Sequence, residues 1–151
     1  MTRIKPAEIR YYFDADIRGL GKILGNIRPD VTYPEDPGAV IHKRQRPPCP
    51  IMHNTPDEVW IPQVAGWGWL IITRDRHIQG HRAEIGAVRE HGARMVALSG
   101  ADATDNFAQL EVFMCQWRSI QSLIDRSGPF IYTATRTSLT AVSLDPEAAT
   151  P

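Results

Sequence analysis

Residues Trp69-Leu70-Ile71-Ile72-Thr73 form an apolar run with no polar position until its closing threonine. A strand sends successive side chains to opposite faces, so a strand without a polar face has to be covered on both sides. That demand points to a parallel sheet with helices packed on each face. The run ends abruptly in Arg74-Asp75-Arg76, where the chain turns polar.

The flanking segments supply the helices and the other strands. Ile9 to Phe13 (IRYYF) reads as a buried strand and gives way to Asp14-Ala15-Asp16. Ile17, Leu20, Gly21, Leu24 and Ile27 recur at helical spacing, which predicts a helix to about Arg28, limited by Pro29. Val31 to Tyr33 is a short candidate strand. Residues 34–56 are proline-rich and carry the basic run His42-Lys43-Arg44-Gln45-Arg46, so a long loop is expected there.

Thr55-Pro56-Asp57-Glu58 has the form of a helix start, with Thr55 as N-cap, Pro56 at the first helical position and Glu58 as capping-box partner. That helix is expected to stop at Gly66, with Pro62 bending or shortening it. A further helix is predicted over Ile78 to His91, a buried strand over Met95 to Leu98, and one long helix over Thr104 to Arg126. Phe130 to Thr135 adds a last strand, with Leu139 to Val142 as its partner. The expected organisation is one three-layer α/β/α domain over residues 1–143 with a mostly parallel sheet, followed by a disordered tail, 144–151.

In open parallel sheets, sites form beyond the carboxyl ends of the strands. Two strands here end in acid, giving Asp14 and Asp16 from one and Asp75 from the other. Asp57 and Glu58, at a helix start, face the same edge if that helix follows a strand. Carboxylates held together repel and raise one another's pKa, a cost that a divalent cation removes. Magnesium and manganese favour such hard oxygen donors.

Each acid also has a purely structural reading. Asp16 serves equally as ligand or N-cap, and Glu58 serves first as a capping-box residue. Asp102 is a loop acid or cap, and Asp105 a solvated first-turn acid. Arg74 and Arg76 flank the proposed site and suit phosphate, as exposed arginines also would without it. Lys43, Arg44 and Arg46 form a basic loop able to track RNA or simply to be solvated. Trp60, Trp67 and Trp69 are stacking candidates, though core or subunit-interface roles fit them better. His77 with His81, and Cys49 with His53, lack the further ligands that a zinc site requires.

Taken in order and spacing, Asp14 in YYFDAD, Asp57-Glu58 in TPDEVW and Asp75 in LIITRDRHI resemble the PIN-like domain family over roughly residues 9–100. The resemblance implies a metal-dependent ribonuclease, commonly a VapC-type toxin of a bacterial toxin–antitoxin pair. Asp14, Asp57 and Asp75 would hold Mg2+ or Mn2+, with Asp16, Glu58 and Asp102 as further contributors. It also implies an RNA substrate, a cognate antitoxin protein as partner and a possible homodimer. The chain departs from the family in its long 34–56 segment and in the absence of an obvious late fourth acid, a place that Asp102 or Asp105 would fill.

Two other functions compete with this one. Phe13-Asp14-Ala15-Asp16 also fits the nucleophile motif of haloacid-dehalogenase-type phosphatases, but these need a late lysine. The lysines here are Lys5, Lys22 and Lys43. A non-catalytic PIN-like scaffold that binds a protein partner needs no convergent acids at all. The formal net charge is zero with 17 basic and 17 acidic residues, so any nucleic-acid contact has to come from a local patch. The two cysteines form no recognisable framework, and no segment reads as a signal peptide or membrane span. A cytoplasmic setting is the expectation.

Overall fold

The computed structural model of the protein describes residues 3–75 and 82–145. Strand β6 (Leu70–Asp75) is its centre, with Leu70, Ile71 and Ile72 wholly buried. It pairs in parallel with β2 (Tyr11–Phe13) on one side and β7 (Arg94–Ser99) on the other. Beyond β2 lies β3 (Val31–Thr32), and beyond β7 lies β8 (Phe130–Ala134), both again parallel. β9 (Leu139–Ala141) closes the far edge antiparallel to β8, giving the order β3-β2-β6-β7-β8-β9.

The alternation of side chains along these strands divides the interior into two cores. Tyr11, Phe13, Leu70, Ile72, Val96 and Leu98 face α1 (Arg18–Gly25), α4 (Asn106–Cys115) and α5 (Trp117–Ser122). Tyr12, Ile71, Met95, Ala97 and Ile131 face α2 (Asp57–Trp67) and α3 (Arg82–His91). The three-layer α/β/α arrangement is therefore the one anticipated from the Trp69–Thr73 run. Each fully buried aliphatic side chain of β6 contributes about 1.5–3 kcal/mol of transfer free energy.

Several local expectations are corrected. The helix read as Thr104 to Arg126 is three pieces: α4, α5 and a 3-10 turn (Leu123–Asp125). It breaks at Gln116, whose side chain leaves the helix line to donate Nε2–H to the Thr135 carbonyl at 3.1 Å. Helix α2 begins at Asp57 and not at Pro56, and no side chain caps it, so Thr55 and Glu58 do not form a capping box. It passes Pro62 and Gly66 to end at Gly68, which takes the left-handed conformation (φ 77°) that glycine adopts without strain. Burial of Trp60, Ile61 and Val64 outweighs the one hydrogen bond that Pro62 forgoes.

The 34–56 segment is not a plain loop. β4 (Ala39–Ile41) and β5 (Arg44–Arg46) form a two-residue hairpin, and β1 (Lys5–Pro6) joins β5 to make a second, three-stranded sheet. His42 and Lys43 both take positive φ at the turn (50° and 61°), the combination that a tight primed turn requires. Arg46 points inward and pairs with Asp36, Nε to Oδ2 at 2.6 Å, with both side chains almost wholly buried. The guanidinium also donates to the carbonyl oxygens of Gly25 and Arg28. Arg46 is thus a structural clasp between the hairpin and the end of α1, and no RNA contact is open to it. Of the expected RNA-tracking residues Lys43, Arg44 and Arg46, only Arg46 is withdrawn into the interior; Lys43 and Arg44 stay exposed at a hairpin turn that lies by Ile27, whose carbonyl meets His42 Nε2 at 3.2 Å.

Removing one partner of a buried ion pair strands the other charge without compensation. Arg46→Gln is expected to cost about 3–5 kcal/mol in urea denaturation, while Arg44→Gln, on an exposed residue, stays within about 0.5 kcal/mol.

Candidate active site

The strand order turns the chain in opposite directions from β2. It moves first to β3 on one side and then returns to β6 on the other. This reversal opens a crevice at the carboxyl ends of β2 and β6, where side chains from separate segments converge. A cavity of about 250 Å3 occupies it, lined by Asp14, Asp16, Asp57, Thr73, Arg74 and Glu84 among others.

Asp14 directly follows β2, and its backbone N–H continues the ladder to the Ile72 carbonyl at 2.9 Å. Its side chain caps a 3-10 turn (Ala15–Ile17), with Oδ1 accepting from the Ala15 N–H at 2.6 Å. The cap is therefore Asp14 itself, and Asp16 lies within the turn. Thr73 comes from β6 and places its hydroxyl between the two acids. Oγ1 is 3.1 Å from Asp14 Oδ2 and 3.3 Å from Asp16 Oδ1. One hydroxyl proton cannot serve both carboxylates at once.

Asp57 enters from the first turn of α2, where Oδ1 accepts from the buried Trp60 indole N–H at 2.9 Å. Burial, then the charge of Asp16, then that of Asp57 push the Asp14 carboxyl up from 3.8 to about 7. Burial and the same three acids also raise Tyr12, whose hydroxyl is buried with no hydrogen-bond partner among the described residues. The fold thus concentrates like charge at one point against its own electrostatic preference.

The remaining sequence candidates divide clearly. Asp75 ends β6 with its backbone opposite Ser99, so it stands at the same sheet edge, while its side chain lies outside the described residues. Arg76, His77 and His81 also lie outside them. Arg74 lines the cavity and reaches the Gly100 carbonyl at 3.4 Å. Glu58 is exposed and does not line it. Asp102 is drawn away to Arg136, at 3.4 Å, and Asp105 caps α4 by accepting from the Ala108 N–H at 2.8 Å. Neither lines the cavity.

Glu84, which the sequence reading missed, lines the cavity from the first turn of α3. Its signal was its place in the helix after the LIITRD strand, a helix whose expected start at Ile78 lies outside the described residues. Among the tryptophans, Trp60 is core, Trp69 is partly buried, and Trp67 is about half exposed against Trp69. His53 also borders the cavity, and Cys49 is not its partner.

The donor set is all hard oxygen, which fits magnesium or manganese better than zinc or copper. The rise of the Asp14 carboxyl through burial and the charges of Asp16 and Asp57 is a second point of fit with a cation. Among the described residues alone, no three His, Cys, Asp or Glu side chains form a complete group able to hold a metal ion.

A three-layer α/β/α domain with acids gathered at its switch point is the class defined by this fold and site. A family model described as a PIN-like domain matches residues 9–100, and the chain belongs to that family, a nuclease-type fold. No curated protein and no solved structure matches the chain. No helix among the described residues is long and apolar enough to cross a membrane.

A carboxyl held near 7 in the folded state and near 3.8 when unfolded makes its full stabilising contribution below pH 4 and loses it as pH rises through 7. Asp14→Asn keeps a capping oxygen and removes that loss. In chelator-treated protein at pH 8, Asp14→Asn is expected to be more stable than wild type by an amount on the order of 1–4 kcal/mol, with the gap closing towards pH 4. Thermal melts across that range give the comparison.

Proposed function

We propose that the protein is a metal-dependent endoribonuclease, and the observation that carries this reading is the crowding of Asp14, Asp16 and Asp57 around one crevice. Asp14, Asp57 and Asp75 would hold Mg2+ or Mn2+, with Asp16 and Glu84 adding negative charge around them. When bound, such an ion supplies a water of lowered pKa and stabilises charge on a phosphoryl oxygen. Thr73 holds the Asp14 carboxylate in orientation through its hydroxyl, and the Trp60 indole N–H does the same for Asp57. Arg74, at the cavity wall, offers its guanidinium to a backbone phosphate.

In the finer reading, the protein is a VapC-type toxin of a bacterial toxin–antitoxin pair, acting in the cytoplasm as a homodimer and held inactive by a cognate antitoxin. Phe107 and Met114 on α4, 79% and 56% exposed, are apolar surface that such a partner would cover. A non-catalytic scaffold is the second reading. It needs no convergent acids and is the reading that remains if no cation binds here.

With Mn2+ and single-stranded RNA of randomised sequence, wild-type protein is expected to cleave. Asp14→Asn and Asp75→Asn should each lower the rate by a factor on the order of 100 or more. Equal rates in all three proteins would show that cleavage does not use this crevice.

A further inference from the structure

His53 stands at the rim of the acid-lined cavity and is half of a built pair. Its Nδ1 meets Glu35 Oε2, and the same carboxylate oxygen accepts the His53 backbone N–H at 2.9 Å. Glu35 reaches this position from a left-handed backbone conformation (φ 62°), which a glutamate adopts only when its surroundings impose it. Glu35 lies within a turn that the Asp36 N–H closes onto the Tyr33 carbonyl at 3.1 Å, and its own N–H donates to the Ile51 carbonyl at 2.8 Å, so both ends of the segment hold it in place. The contacts to His53 hold the Glu35 carboxyl below its usual range. A carboxylate on Nδ1 fixes the ring and leaves Nε2 as the nitrogen that a substrate can meet.

The other ionisable side chains lining the described part of the cavity are four acids and Arg74. Acids held with a cation can take a proton from water, and an arginine does not give one up. The leaving oxygen of a phosphodiester still needs a proton, and His53 is the group at the rim able to deliver it.

Resting on the nuclease reading above, we propose that His53 is the general acid of phosphodiester cleavage and that Glu35 is its positioning residue. Water adds to phosphorus, the bond from phosphorus to the leaving oxygen breaks with its electron pair going to that oxygen, and the Nε2 proton passes to it. The attacking water gives its proton to the carboxylates or solvent, and solvent returns one to His53, so atoms and charge balance.

The test compares wild type, His53→Gln, Glu35→Gln and Asp14→Asn with Mn2+ on two substrates. Randomised single-stranded RNA leaves as an alkoxide that needs a proton, whereas bis(p-nitrophenyl) phosphate leaves as a phenolate that does not. The expected result is that the ratio of RNA to nitrophenyl rates falls about 100-fold in His53→Gln and by a smaller factor in Glu35→Gln, while Asp14→Asn loses both activities. A ratio unchanged in His53→Gln overturns the acid role and leaves the nuclease reading standing. Wild type that cleaves neither substrate overturns both. Nitrogen-15 NMR of the imidazole provides a readout without turnover: Glu35→Gln should shift the Nδ1 resonance of His53, and an unmoved resonance overturns the pairing.

Discussion

Strand β6 has to be buried on both faces, and the rest of the architecture follows from meeting that requirement. Leu70 and Ile72 go to one core and Ile71 to the other, so helices must cover both sides of the sheet. Covering both sides with intervening helices makes the neighbouring strands parallel, and parallel strands finish at one edge. Asp14, just past β2, and Thr73, in β6, come together at that edge, where Asp75 ends β6. The reversal of strand order between these two strands leaves room between them for a cavity.

The same edge is where the protein departs from electrostatic comfort. Elsewhere it neutralises what it buries: Arg46 and Asp36 lie in the interior as a hydrogen-bonded pair. At the crevice it supplies single donors instead, the Ala15 N–H and the Thr73 hydroxyl for Asp14 and the Trp60 indole for Asp57. These orient the carboxylates without cancelling their charge. A structure under selection for stability alone has no reason to keep such an arrangement, and a cation-dependent site does.

The sheet was legible in the sequence wherever burial was two-sided, since Trp69–Thr73 and Met95–Leu98 leave no other reading. Asp14 and Asp57 were legible because an acid closing an apolar strand and an acid opening a helix both map to the same edge. Pairings across distance were not. The Arg46–Asp36 clasp was hidden inside what looked like a solvated basic run, and its hairpin turn uses His42-Lys43 in place of the usual Asn-Gly signal. The Glu35–His53 contact spans 18 residues and depends on a backbone conformation that glutamate rarely takes. Glu84 lines the crevice from the first turn of its helix, whereas Asp102 lies beside Arg136, and neither position can be read from spacing alone. The break at Gln116 left no trace in the apolar stripe, because the bond to Thr135 that accompanies it comes from another element.

The central claim is that strand ends far apart in sequence share one cation. Calorimetric titration of the purified protein with Mn2+, beside Asp14→Asn and Asp75→Asn, tests it most directly. The account predicts saturable binding by the wild type that is lost in both variants. No binding by a folded wild type, or binding that survives both substitutions, would contradict it.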